Sequence, residues 1–346
     1  MSPKEIYERL SRTPRSSAQK VARWLNEGNT LESFLARLDP PRGEPATVPF
    51  VTPACQEYPD KIKQLYDPPL TLFHRGLPLW KLSKTIVGVV GSRKASRFGL
   101  SLAHKLGQTL SRQQISVCSG LALGIDGASH RGVLDEIRRN SSAAPPVAIL
   151  GHGWKHIHPK SHLNLAGDIV KNGVILTEYP PNFPGARWSF PARNRIIAAL
   201  SDHLVVVEAG LKSGSLYTAE FALDLGRTVW IIPNAPGRPN SAGVLGLWRA
   251  GAEVVWDIDE FVNEVTSCNN TEQRNSSDLE SISEENRKLL RILIEVDCQM
   301  NEFCIQANIG PQELAYRLTE MELDGLIRRT HNGAWEILRW DLIRYL

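Results

Sequence analysis

The sequence is poor in sulfur, has no paired cysteines and has no long apolar run. Its five cysteines, Cys55, Cys118, Cys268, Cys298 and Cys304, form no C-x-x-C motif and no even-numbered framework. That excludes a disulfide scaffold and a dithiol redox site. Nowhere do about 18 apolar residues follow one another, so no membrane-spanning helix is predicted. The N-terminal MSPKEIYERLSRTPRSS carries cations but lacks the apolar stretch and small-residue cleavage site of a secretory signal. Reduced thiols without a leader predict a cytoplasmic protein. Also missing are the G-x-G-x-x-G and G-x-x-x-x-G-K-[ST] spacings, which removes the main support for a dinucleotide site or a P-loop nucleotidase.

What is present reads as a globular chain of 346 residues, 42% hydrophobic and 22% charged. The net charge of +3 is unevenly divided. Residues 253–285 hold ten acids against the single Arg274, leaving +12 on the remainder. Such an imbalance suits a polyanion binder. It equally suits a solvated surface beside an acidic linker, and charge alone does not separate the two.

Periodicity divides the chain into four parts. Residues 1–45 contain a short helical pattern, with apolar positions at Val21, Trp24, Leu25, Leu31, Phe34, Leu35 and Leu38, broken by Pro40, Pro41 and Pro45. Residues 50–262 alternate helical segments with short β-branched runs at 85–90, 115–118, 146–150, 173–177, 203–208 and 228–232, and EVVWD closes the region. Each main run is apolar on both faces, which predicts an α/β fold with a doubly wound, mostly parallel sheet covered by helices. Ligands then belong at the carboxyl ends of the strands. Residues 263–283 are rich in Asn, Ser and acids and read as a linker. Residues 284–346 give two or three helices and then a β pair turning at Asn332-Gly333, the pattern of a winged helix.

The chemistry concentrates in the turns after the predicted strands. VGVVGSRKASRFG places Gly91 and Ser92 directly after a strand and adds Arg93, Lys94 and Arg97. Backbone N–H groups at such a turn already favour an anion. Three further cations exceed what one pyrophosphate requires and suit a string of phosphates. The next strand ends in Ser119-Gly120, where backbone can approach a ligand, and Asp126 follows at a helix start. Helix capping is the preferred reading of that carboxylate over general-base chemistry. His152, His156, His158 and His162 cluster later, but no cysteine or carboxylate joins them locally and no metal is predicted. Between 187 and 195, Arg187, Arg193 and Arg195 alternate with Trp188 and Phe190, cations for phosphates beside rings for bases. LKSGSLYTAE then sets Lys212, Ser213, Gly214, Ser215 and Thr218 at a second phosphate-type turn.

Taken in order, VGSRKAS, SGLALGIDGASHRG, ILGHGW, TEYPPN, FPARNRIIAALSDHLVVVEA and SGSLYTAEFALDLGR resemble the DprA (Smf) family of DNA-processing proteins over about residues 50–257. The resemblance implies an extended Rossmann-like domain that binds single-stranded DNA without catalysis or cofactor. It also implies protection of incoming strands in natural transformation, loading of the RecA recombinase, a homodimer, and an encounter with single-strand-binding protein. By position it assigns the DNA pocket to Gly91, Ser92 and Arg93, with Lys160, Asn194, Arg195 and the 213–215 turn contributing. The chain departs from the family at His152, His158, Asn182 and Leu245–Trp248, and the last of these falls near the family's dimer and RecA surfaces. One enzymatic alternative stays open. SGSLYTAE distantly echoes the loop of nucleotide N-glycosidases, with Glu220 as the carboxylate. A third reading, a duplex-binding regulator, is disfavoured because QELAYRLTEMELDG is not basic.

Overall fold

The structure, a computed structural model, describes residues 49–266, 283–295, 300–307, 309–323, 326–329 and 335–337. The N-terminal helical pattern, most of the acidic linker and the Asn332-Gly333 turn lie outside the described residues. The chain divides into two compact units, Met1–Asn263 and Glu264–Leu346.

The first unit holds a nine-stranded sheet. Its strands are β1 (Phe50–Val51), β2 (Leu72–Gly76), β3 (Ile86–Val90), β4 (Ser116–Ser119), β5 (Val147–Leu150), β6 (Val174–Thr177), β7 (His203–Val206), β8 (Thr228–Ile231) and β9 (Glu253–Val254). They lie in the order β1-β2-β6-β5-β4-β3-β7-β8-β9. From β6 to β9 every pairing is parallel, whereas β1 and β2 add an antiparallel margin. The helices that flank the sheet include α1 (Arg97–Arg112), α2 (Ile125–Arg139), α3 (Leu163–Asn172), α4 (Ser189–Leu200), α5 (Gly214–Asp224) and α6 (Ala242–Arg249).

Alternation along the strands explains why helices cover both faces. Val147 and Ile149 of β5 join Val174, Leu176, Leu204 and Val206 in one layer, which α4 covers with Ile196, Ile197 and Leu200. Ala148, Leu150 and Ile175 point the other way, against Leu134 of α2 and Leu165 and Ile169 of α3. With both faces closed, each central strand reads as a continuous apolar run.

The six central strands appear within one or two residues of their predicted places, and β9 keeps only Glu253–Val254 of EVVWD. Sequence periodicity missed β1 and β2. LFHRG is bracketed by Pro68, Pro69 and Pro78, and its partner β6 lies about a hundred residues downstream, so no local signal announces it.

The second unit contains α7 (Glu284–Glu295), α8 (Met300–Ala307) and α9 (Pro311–Leu323), followed by an antiparallel pair, β10 (Ile327–Arg329) with β11 (Trp335–Ile337). Leu289, Leu290, Phe303, Leu314, Leu318 and Met321 form its core.

Candidate nucleic-acid interface

From β3 the chain moves outward through β4, β5 and β6, then α4 carries it back so that β7 pairs with β3 on its other side. The order reverses between β3 and β7, and at such a switch point the loops part and leave a crevice. An open cleft of about 520 Å³ lies there. The turn after β3 forms one wall with Gly91, Ser92, Arg93 and Lys94, and the start of α5 forms the other with Ser213, Gly214 and Ser215.

The β3 turn is held from below. Ser92 N donates to Glu208 O at 2.7 Å, and Ser92 Oγ accepts from Lys94 N at 3.1 Å. Gly91 admits no side chain, because a Cβ there would lie 2.6 Å from Ile125 Cγ1 and 2.9 Å from Glu208 O. Ser96 caps α1, its Oγ accepting from Gly99 N at 3.0 Å. The buried Glu208 carboxylate ties the ensemble together, accepting from Ser96 N at 2.9 Å, from Ser96 Oγ at 2.5 Å and from Asn240 Nδ2 at 3.1 Å. Asn240 also donates to Lys94 O at 2.8 Å. With their backbone fixed, the Arg93 and Lys94 side chains are exposed at the cleft.

The opposite wall is a helix N-terminus. Ser213 caps α5 by accepting from Ser215 N at 3.4 Å, and its hydroxyl lies 2.7 Å from Ser215 Oγ. Asn194 Nδ2 donates to Gly214 O at 3.2 Å and joins α4 to this wall. Nothing lies within 4 Å of a Cβ built at Gly214, so a ligand can approach its backbone closely. The positive end of the α5 dipole faces the same space as Arg93 and Lys94.

Arg193 lies beneath the cleft. It is buried, and Nη1 donates to Gly120 O at 2.8 Å and to Ile149 O. Asp126 is buried beside it and accepts from Gly120 N at 3.1 Å and Ala122 N at 3.4 Å. The predicted dipole-facing carboxylate therefore folds the preceding loop back on itself. Burial pushes the Asp126 carboxyl above its ordinary range and the Arg193 guanidinium below its own, while the charge of each favours that of the other. Neither a nucleophile–base pair nor a paired carboxylate occurs among the lining residues.

Most of the predicted site residues converge here, and six do not line the cleft. Ser119 is fully buried and its Oγ donates to Val89 O at 2.6 Å, so it braces the sheet. Arg195 is held by Glu178 in a two-pronged ion pair, Nη1 to Oε1 at 2.7 Å and Nη2 to Oε2 at 2.8 Å. Lys160 is exposed on the turn Lys160–His162, and Lys212 is exposed just before the Ser213 cap. Arg97 is exposed as the first residue of α1 and faces a separate cleft. Gly120 lines a recess of about 40 Å³ behind the main cleft, with His152, His158 and Phe190. Phe190 also faces the main cleft, whereas Trp188 packs against Tyr179 and Phe183 at ring separations of 5.9 and 6.1 Å.

Two of the clustered histidines are engaged structurally. His152 Nδ1 lies 3.0 Å from Gly153 O, and His162 Nδ1 lies 3.0 Å from Leu121 O. Among the described residues no three His, Cys, Asp or Glu side chains converge as metal ligands. Sequence reasoning missed Glu208, Asn240 and Glu178. Glu208 alone left a trace, as an acid ending an otherwise apolar strand.

Residues 49–266 match the family model described as DNA recombination-mediator protein A. The DNA processing protein DprA of Bacillus subtilis is 35% identical over 224 residues, 64% of this chain and 72% of its own. A putative DprA of Mycobacterium tuberculosis is 36% identical over 278 residues, 77% of this chain and 70% of its own. Among solved structures, Streptococcus pneumoniae DprA superposes with a TM-score of 0.59 at 33% identity, covering 67% of this chain and 77% of that one. Helicobacter pylori DprA, described for its single-stranded DNA binding mode, gives 0.57 at 26% identity, covering 64% and 97%. A family match across most of the chain, with a shared Rossmann-like sheet, identifies this protein as a member of the DprA/Smf family of DNA-processing recombination mediators.

Proposed function

We propose that the switch-point cleft binds single-stranded DNA and that the protein acts there as a mediator, without chemistry of its own. The observation that carries the reading is the pairing of exposed Arg93 and Lys94 with the open N-terminus of α5 across one cleft. Phosphates take the Gly91–Lys94 turn and the Ser213–Ser215 turn, Asn194 spaces the two, and Phe190 offers a ring to a base. Arg193 and Asp126 hold the floor. Lys160, Lys212 and Arg195 are proposed to act outside the cleft, the first two by attracting the strand and Arg195 by fixing the α4 approach through Glu178. The relative from Helicobacter pylori, described as binding single-stranded DNA, supports the same reading. RecA and single-strand-binding protein as partners, a homodimer, and a cytoplasmic location complete the proposal. No helix among the described residues is long and apolar enough to cross a membrane.

The N-glycosidase alternative is weaker, because Glu220 is exposed on α5 and does not line the cleft. Fluorescence anisotropy with labelled oligonucleotides tests the proposal. Single strands should bind more tightly than duplex, with affinity falling as salt rises. Arg93→Ala should weaken all sequences alike and lower the salt slope by about 0.7. Equal duplex binding, or release of free base from nucleoside monophosphates, would overturn it.

A further inference from the structure

A second cleft, of about 710 Å³, lies across the Lys94–Ser96 turn from the first. Its walls are the start of α1, with Arg97 and Phe98, and the loop between β8 and α6, with Asn234 and Arg238. Lys94 and Asn240 line both clefts, so the two share a rim. Arg97, Arg238 and Lys94 are exposed. The one acid in the lining, Glu208, is buried and already accepts from Ser96 and Asn240. A net cationic surface remains. Phe98 stands among these cations 61% exposed, a ring the core does not use. Cations along a groove with an exposed ring between them form a stacking platform for an unpaired strand.

We infer that a single strand leaving the first cleft crosses the shared rim and continues into the second. There a base stacks on Phe98 while Arg97 and Arg238 take the flanking phosphates. The inference rests on the single-stranded DNA reading of the first cleft and adds the direction and extent of the track. Asn240 keeps the rim rigid by holding Lys94 O and Glu208 together.

Anisotropy with two oligothymidylates, of about 5 and about 16 nucleotides, tests it, since these span common site sizes of single-strand binders. Phe98→Ala should weaken the long strand about fivefold and leave the short one unchanged. Arg238→Ala should do the same and lower the salt slope on the long strand by about 0.7. A long abasic strand should lose nothing further with Phe98→Ala. Both side chains are exposed, so circular dichroism should show unaltered folding, and Arg97→Ala serves if either variant misfolds. Equal loss on both lengths, or none on the long strand, overturns the second cleft while Arg93→Ala still weakens both. If Arg93→Ala weakens neither length, the first cleft's reading falls and this inference falls with it.

Discussion

Arg193 was expected to meet the ligand, and its surroundings give it a different first duty. Its guanidinium bonds two strand-end carbonyls, Gly120 O and Ile149 O, and lies against Gly120, where a Cβ would come within 2.5 Å of Nη2. Lysine cannot reproduce that planar fork. Arg193→Lys should cost roughly 2–4 kcal/mol of stability, because a buried charge would keep only part of its partners. Urea denaturation measures the loss. Unchanged stability with weakened DNA binding would show instead that the guanidinium serves the ligand. Arg195 differs. The two-pronged pair with Glu178 leaves it about 15% exposed, so its charge is largely answered before any strand arrives. Neither environment is legible from the sequence. The partners lie at positions 120, 149 and 178, and only the fold brings them to positions 193 and 195.

At the scale of elements, the β3–α1 turn is positioned by three other segments: the end of β7, the start of α2 and the loop before α6. Ser96→Ala removes the α1 cap and should cost about 1 kcal/mol, read as a lower urea midpoint at unchanged slope. Gly124 makes a stronger case. Its φ of +78° lies in the left-handed region, and a Cβ there would stand 2.1 Å from Ser92 O. Gly124→Ala must shift the Ser92–Arg93 backbone, so DNA affinity should fall by more than the roughly 1 kcal/mol strain of a positive φ would suggest. Anisotropy and denaturation on the same variant separate the two effects, and a loss of stability with intact affinity would contradict the argument. The sequence announced the Gly91 turn because a strand, a glycine and three cations are contiguous. It could not announce Glu208 and Asn240, which brace that turn from more than a hundred residues away.

Across the whole molecule, the closed sheet leaves groups in its cover that respond to pH. His130 of α2 is fully buried, and desolvation, with His162 and Arg131 adding to it, lowers its pKa from 6.5 to about 3. The folded state therefore keeps this imidazole neutral, while the unfolded chain takes up a proton below pH 6.5. Stability is complete above that value and falls as pH drops from 6.5 toward 3, on the order of 1.4 kcal/mol per unit for this one group. Denaturation midpoints across that window should show the loss, and His130→Asn should flatten it. An equally steep fall in the variant would assign the effect elsewhere. The same burial raises the Cys118 thiol to about 12, so alkylation of the native protein should spare it.

The strands β3 to β8, the glycine- and serine-bearing turns that follow two of them and the excess of cations were all determined by the sequence alone. Each is written in contiguous residues, because strand burial and turn chemistry are local properties. The tertiary structure decided which cations remain available. It left Arg93 and Lys94 facing a cleft, buried Arg193 under the floor, paired Arg195 with Glu178 and directed Arg97 toward a second cleft. It also added β2 through a pairing no local pattern encodes. A charge in the sequence becomes a binding group only if the fold leaves it unanswered, and the answering groups come from distant parts of the chain.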